Sequence, residues 1–448
     1  MNTAALDPWP YLSADVPAVP AAVKRRYEDF FVDEIPAYEP SGRGDHVYFV
    51  VEKRGLATMP AAADIARALG RNPRDIGFAG LKDARAVTRQ TFSVEHEEPE
   101  RIRGLDLPRM RVLSVSRHTN KLRIGHLRGN RFAIRLREVD PGRIDDIRAV
   151  LDLLSRRGTP NYFGRQRFGT RGDSGRIGAA LLHDDPAEAM ALLCGRAGEF
   201  DTGEVRRARR LYDAGNFAAA ARAWPYLFRD AARACRAMAK SDGDARRAIR
   251  AVPRGLRQFF VSACQSWLFN RVLAARIDEI DRVRPGDLAY KHDNGAVFLV
   301  QDAAAEQPRA ERFEISPTGP LFGRRMTAPA DEPAALEQRV LAGERLDAAI
   351  FSAGERPARH AADAEPHVQA PGPAAAQARS AGSVRQGLAP PGGRRPLRFA
   401  LRDATAESGS DDAGPFIELR FTLAAGCYAT SVLREICKDA LEEGRAQE

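Results

Sequence analysis

Apolar and polar positions alternate in several short runs along the first third of the chain. HVYFVVEK (46–53), RQTFSVE (89–95), MRVLSVSRH (110–118), KLRIGHL (121–127) and NRFAIRLREV (130–139) each place every second residue on one face, which predicts strands joined by short turns. PAAADIARAL (60–69) starts with proline and carries apolar residues at helical spacing, and DIGFAG (75–80) reads as a short buried strand. With a helix over about 143–156, this portion is expected to be a mainly antiparallel sheet carrying helices. From 175 to about 280 the period is helical, most clearly at Phe260, Cys264, Trp267, Leu268, Val272 and Ala275. FIELRFTL (416–423) is a strand again, and TSVLREICKDALEEG (430–444) a helix with Thr430 as cap and Gly444 as stop.

Two stretches break these patterns. Residues 1–22 are rich in proline and alanine and read as an extended arm, with the ordered chain beginning at VKRRYEDFFVDEI (23–35). Residues 353–396 hold only Val368, Val384 and Leu388 as large apolar side chains, too few to offset the entropy of ordering, and are expected to be disordered or poorly ordered. The 448 residues have room for two domains. No apolar run nears the roughly 18 residues of a membrane span, and MNTAALDPWPYL lacks the features of a signal peptide, so a cytoplasmic protein without a membrane partner is expected. The five cysteines form no CxxC pair and the eight histidines no ligand-spaced cluster with them, which argues against a zinc site, an iron–sulfur cluster or a disulfide framework. GxxxxGK[ST] and a strand-borne GxGxxG are also missing, so the expected chemistry uses no cofactor and no metal. A monomer with no obligate protein partner is the default.

Charge narrows the class further. The formal net charge is +9, and residues 101–137 contain eleven Arg or Lys against one acid, Asp106. Such a run gains counter-ion release by meeting a phosphate backbone, so RNA or DNA is the expected partner, although only seven of the 69 basic residues are lysine and a compositional bias alone would scatter arginine widely.

The candidate chemistry sits in loops. In GFAGLKDARAVTRQ (77–90) a buried strand runs into a Gly-rich turn where Asp83 lies beside Lys82 and Arg85; it either caps the turn or is a carboxylate kept ionised by cations, as a nucleophile or base requires. In GHLRGNRF (125–132), Gly129-Asn130 either makes a hairpin turn or presents an amide to a base edge, with Phe132 as a stacking face. Phe30 packs a core edge or serves as a base platform, and Lys24 is by itself a solvated charge. PNYFGRQRFG (160–169) is either a domain junction or an RNA-facing loop.

Six ordered blocks together resemble the TruD family of tRNA pseudouridine synthases: KRRYEDFFVDE (24–34), GDHVYFVVEK (44–53), GFAGLKDARAVTRQ (77–90), RHTNKLRIGHLRGNRF (117–132), PNYFGRQRFG (160–169) and AAGCYATSVLRE (424–435). The resemblance implies an α+β protein. A pseudouridine-synthase-like catalytic domain with a mainly antiparallel mixed sheet would occupy 23–158 and 399–448, and a largely helical inserted domain 159–398, with Asp83 at the floor of a basic, aromatic-lined cleft. It implies isomerisation of a tRNA uridine, at position 13 of the D-arm in bacterial members, with Asp83 as the catalytic aspartate acting on an extruded base. Phe30, Asn130 and Phe132 would line the uridine. Tyr428 stands where the family pattern has Phe, and Lys24 and Glu28 would pair near the nucleophile. Two rivals remain: a non-catalytic RNA-binding or RNA-chaperone protein on the same fold, and an RNA-independent glycoside- or nucleoside-processing enzyme, which would want two carboxylates near one bond.

Overall fold

The computed structural model describes residues 9–352, 383–384 and 387–444, which divide into two compact units. One unit combines Pro10–Asn161 with Arg398–Glu448, and the other Met1–Trp9 with Tyr162–Leu397.

Ten strands of the first unit form one sheet: β1 (Ala21–Val23), β2 (Phe30–Pro36), β3 (His46–Arg54), β4 (Gly77–Phe78), β5 (Val87–Glu95), β6 (Met110–His118), β7 (Leu127–Arg137), β8 (Arg402–Asp411), β9 (Gly414–Ala424) and β10 (Leu441–Glu443). The order along the main path is β8-β9-β7-β2-β5-β3-β6. Most pairs are antiparallel, but β2 runs parallel to β5 and β1 parallel to β10, so the sheet is mixed and the fold α+β.

Helices cover one face of this sheet at both ends. At one end α1 (Thr58–Leu69) buries Thr58, Ala61, Ala62, Ile65, Ala66 and Leu69, the i, i+3, i+4 rows that share a helical face, against Phe49, Val51, Phe92 and Val94. At the other, α2 (Ile144–Arg157) and α3 (Ala429–Cys437) pack on Phe30, Val32, Phe132, Ile134, Leu419 and Leu423. The strand registers place Glu34 opposite Asn130, Val32 opposite both Phe132 and Thr88, and Gln90 opposite Val51 on this same face. Polar side chains therefore occupy the middle of a face whose ends are apolar. The opposite face carries ion pairs such as Arg89–Glu52, Arg111–Glu52 and Arg135–Glu418.

The second unit is mainly helical. Its longest helix, Arg254–Ala275, packs closely on Ser174–Leu182: a Cβ on Gly178 would stand 2.0 Å from the Phe260 carbonyl oxygen, so glycine is required there. A four-stranded sheet of Leu288–Lys291, Val297–Leu299, Ile315–Leu321 and Gly393–Pro396 adds β structure that helical periodicity gave no reason to expect.

Several expectations need correction. KLRIGHL is not a strand: residues 119–126 form turns held by bonds such as Gly125 N–H to Ala79 O (2.8 Å). The stretch read as an arm is integrated from Pro10 onward, with Val19, Ala21 and Ala22 buried and β1 hydrogen-bonded to β7 and β10. The helix expected to run to Gly444 ends at Cys437, where Lys438 adopts φ 53°, and Tyr428 rather than Thr430 occupies its N-cap position. Much of 353–396 lies outside the described residues. Within it, however, Val384 and Leu388 are buried in the helical unit's core and Gly393–Pro396 is a strand.

Candidate active site

The loop between β4 and β5 carries Asp83 across the polar middle of the covered face, and its backbone is pinned from below. Lys82 N–H donates to Thr58 Oγ1 (2.8 Å), Thr58 Oγ1 donates to Gln90 Oε1 (3.0 Å), and Gln90 Nε2 donates to the Gly80 carbonyl (2.5 Å). Thr58 and Gln90 are both buried, so these bonds are shielded from water.

Asp83 does not pair with its sequence neighbours' side chains. Its Oδ2 meets the ammonium of Lys24, 59 residues away, and its Oδ1 accepts the Arg85 backbone N–H (2.9 Å), while the Arg85 guanidinium reaches the Gly444 carbonyl (3.2 Å). Burial raises the carboxyl pKa, but the Lys24 ammonium and the backbone N–H groups of Arg85 and Ala84 outweigh it and hold Asp83 below the ordinary aspartate range. The group is ionised at neutral pH. Its side chain is 39% exposed, so a reactant can reach it.

Lys24 is placed by strain. It follows β1 with φ +59°, a conformation that an L-residue adopts at some cost, and Gly444 N–H bonds the preceding Val23 carbonyl (2.9 Å). Its ammonium also lies 4.5 Å from the centre of the Phe30 ring. Phe30 meets Phe132 edge-on at 6.2 Å, and Phe132 lies 5.4 Å from Phe421, so both rings are largely buried beneath the charged pair.

Lys82 turns the other way. Its ammonium lies 2.7 Å from Glu34 Oε2 and donates to Asn130 Oδ1 (2.8 Å), while Glu34 Oε1 accepts Thr91 N–H (3.1 Å) where β2 and β5 diverge. Lys53, also buried, donates to the Leu56 carbonyl (2.5 Å), and burial together with the charge of Lys82 lowers its pKa to about 8.

These positions correct three expectations. Gly129-Asn130 makes no turn but lies within β7, where a Cβ on Gly129 would stand 2.2 Å from the Leu423 carbonyl oxygen of β9. Glu28 pairs with Arg54 (2.5 Å), not with Lys24. Tyr428 is 57% exposed at the start of α3. Most of the basic run is also neutralised: Arg101, Arg103, Arg111, Arg117, Arg131, Arg135 and Arg137 all pair with carboxylates, Arg137 with fully buried Asp29. Glu34, Thr58, Gln90 and Lys53 were missed as site residues. The alternation of Phe30, Val32 and Glu34 along one strand was the available signal for the first of them.

A solvent-reachable carboxylate, held ionised by one lysine above an aromatic floor, is a group equipped for nucleophilic or proton-transfer chemistry, as in an enzyme site. The family model described as tRNA pseudouridine synthase D (TruD) matches residues 9–363. The chain is 45% identical over 428 residues to tRNA pseudouridine synthase D of Geobacter sulfurreducens, covering 96% of each chain, and 35% identical to that of an Anaeromyxobacter species, covering 98% and 99%. A solved Methanosarcina mazei structure carrying the same TruD name matches its fold with a TM-score of 0.80 at 23% identity, over 96% of both chains. The chain belongs to the TruD family of tRNA pseudouridine synthases. It is an isomerase of the pseudouridine synthase class.

Proposed function

We propose that this protein converts one uridine of tRNA, at position 13 in the D-arm, to pseudouridine, with the Asp83 carboxylate as nucleophile. The observation that carries this reading is the ionised, accessible Asp83 held by Lys24. The reaction breaks the N1–C1′ bond, turns the base, forms C5–C1′, and returns to N1 a proton equivalent to the one lost from C5. Substrate and product are isomers, so no oxidant or activated group is consumed. Asp83 adds to the sugar at C1′, adds to the base at C6, or starts elimination to a glycal. Each route needs the same ionised carboxylate within reach of an extruded uridine.

Extrusion costs a few kcal/mol, which stacking and phosphate contacts must offset. Phe30 and Phe132 form the apolar floor under the base, and Asn130 reads its edge. Lys24 has two roles: it keeps Asp83 ionised, and it releases the carboxylate when the substrate bond forms. A cytoplasmic, monomeric enzyme acting on free tRNA fits this reading.

Single-turnover conversion of bulk tRNA, with pseudouridine quantified by mass spectrometry of the digested RNA, tests it. Asp83→Asn is expected to form no detectable product while tRNA affinity stays within a few-fold. If wild type and variant both bind tRNA and neither makes pseudouridine, the protein is a non-catalytic RNA binder on the same fold. Loss of folding in Asp83→Asn would make the residue structural.

A further inference from the structure

An amide side chain can present either its oxygen or its NH2 group, and Asn130 has no such freedom. Its Oδ1 accepts from the Lys82 ammonium at 2.8 Å, and a lysine has donors only. Turning the amide over would set N–H groups against an ammonium. The oxygen must therefore face Lys82.

Lys82 is itself immobilised at both ends. Its ammonium pairs with Glu34 Oε2 at 2.7 Å, with only 5% and 2% of the two side chains exposed, and its backbone N–H is bonded to Thr58. Glu34 is tied in turn to the Thr91 N–H. Asn130 is half-buried, and its Nδ2 makes no hydrogen bond among the described residues. A fixed donor is left free on the face of the sheet that carries Phe30 and Phe132.

We propose that Lys82 is a positioning residue that locks the Asn130 carboxamide as a donor, so that the site accepts a base presenting a carbonyl at that point and rejects one presenting an amine. This rests on the reading above in which Asn130 faces the base. Moving the sugar from N1 to C5 turns uracil half a revolution about its N3–C6 axis. O2 and O4 exchange places, while N3–H and C6 stay where they were. A donor aimed at a carbonyl is therefore satisfied before and after the rotation, and an acceptor at the same point would be satisfied by neither carbonyl. In this proposal O4 faces the amide as the uridine is bound, so cytosine, with an amine at C4, would set donor against donor on binding.

The test uses a tRNA transcript that the wild type converts and the same transcript with cytidine at the converted position. The half-saturating concentration of the first in single turnover and the inhibition constant of the second give a discrimination ratio. The wild-type ratio is expected to be about tenfold or more, the scale of one base-edge hydrogen-bond contact. In Lys82→Met the amide can rotate, and the ratio is expected to fall to roughly one to three. Because Lys82→Met leaves Glu34 buried without its cation, the double variant Lys82→Met/Glu34→Gln, which removes both charges, is measured beside it and should show the same fall. A turnover loss with the ratio intact in both variants would make Lys82 merely structural and overturn the proposal. A ratio that survives Asn130→Ala would show that Asn130 does not read the base and would overturn the underlying reading as well, as would a wild-type ratio near one. Loss of the ratio in Asn130→Ala but not in the Lys82 variants would overturn the positioning role alone.

Discussion

Asp83 and Lys53 show how one polar patch drives two groups apart. Asp83 is kept charged by direct contact with Lys24, whereas Lys53 touches only the Leu56 carbonyl and has the like charge of Lys82 near it, which Asp83 and Glu34 offset only in part. With a folded pKa of about 8 against an ordinary 10.5, Lys53 gives up its proton earlier in the native state than in the unfolded chain. The native state then binds fewer protons between those values, so stability must rise with pH over that window; below pH 8 the burial penalty is present in full. Wild type should gain up to about 3 kcal/mol relative to Lys53→Met between pH 8 and 10.5, read as the difference in denaturant midpoints. A constant difference would place Lys53 in a better solvated site. Asp83 was visible in the sequence as a charged residue in a Gly-rich turn, whereas Lys24 was placed near it only through the family resemblance, and there as the partner of Glu28. Adjacency suggested Lys82 and Arg85, and the chain instead brings Lys24 from 59 residues away.

At the scale of elements, alternation located most strands of the site-bearing sheet and the 3.6-residue period located its helices, because one buried face is enough to set either pattern. KLRIGHL alternates equally well yet forms no strand before Leu127: Leu122 is buried with Tyr48 and Ala79, and Gly125 N–H bonds the Ala79 carbonyl, which ties the segment to the loop after β4. Gly129-Asn130 failed for the opposite reason: a dipeptide suited to hairpins is used inside β7, where the glycine admits the backbone of β9 and the asparagine faces Glu34 across the ladder. Gly129→Ala should push β9 off β7, costing about 1–3 kcal/mol of stability by thermal unfolding. Single-turnover rate should fall further than stability, because the displaced residue is next to Asn130. Equal thermal midpoints and rates would show that the strands give way freely.

Over the whole molecule, charge that looked concentrated in the sequence is largely spent on internal pairs. Arg123 and Arg128 are exceptions in the basic run, exposed and without an acidic partner among the described residues. Each of Arg123→Ala and Arg128→Ala should reduce the slope of log affinity for tRNA against log salt by roughly one, while Arg103→Ala and Arg111→Ala leave it unchanged. Equal effects from all four would mean that the internal pairs open on binding. Six blocks kept in order were enough to place the chain in its family, and with it the α+β class and the carboxylate on which the chemistry is proposed to turn. Local periodicity further determined most strands and helices, since burial of one face is written into neighbouring residues. Which cation holds Asp83, which way Asn130 points, and that the distant strand β9 completes the sheet beside β7 emerged from the folded chain alone. Those outcomes depend on strand order and register, which bring distant residues to one face and leave no trace in the spacing of any single segment.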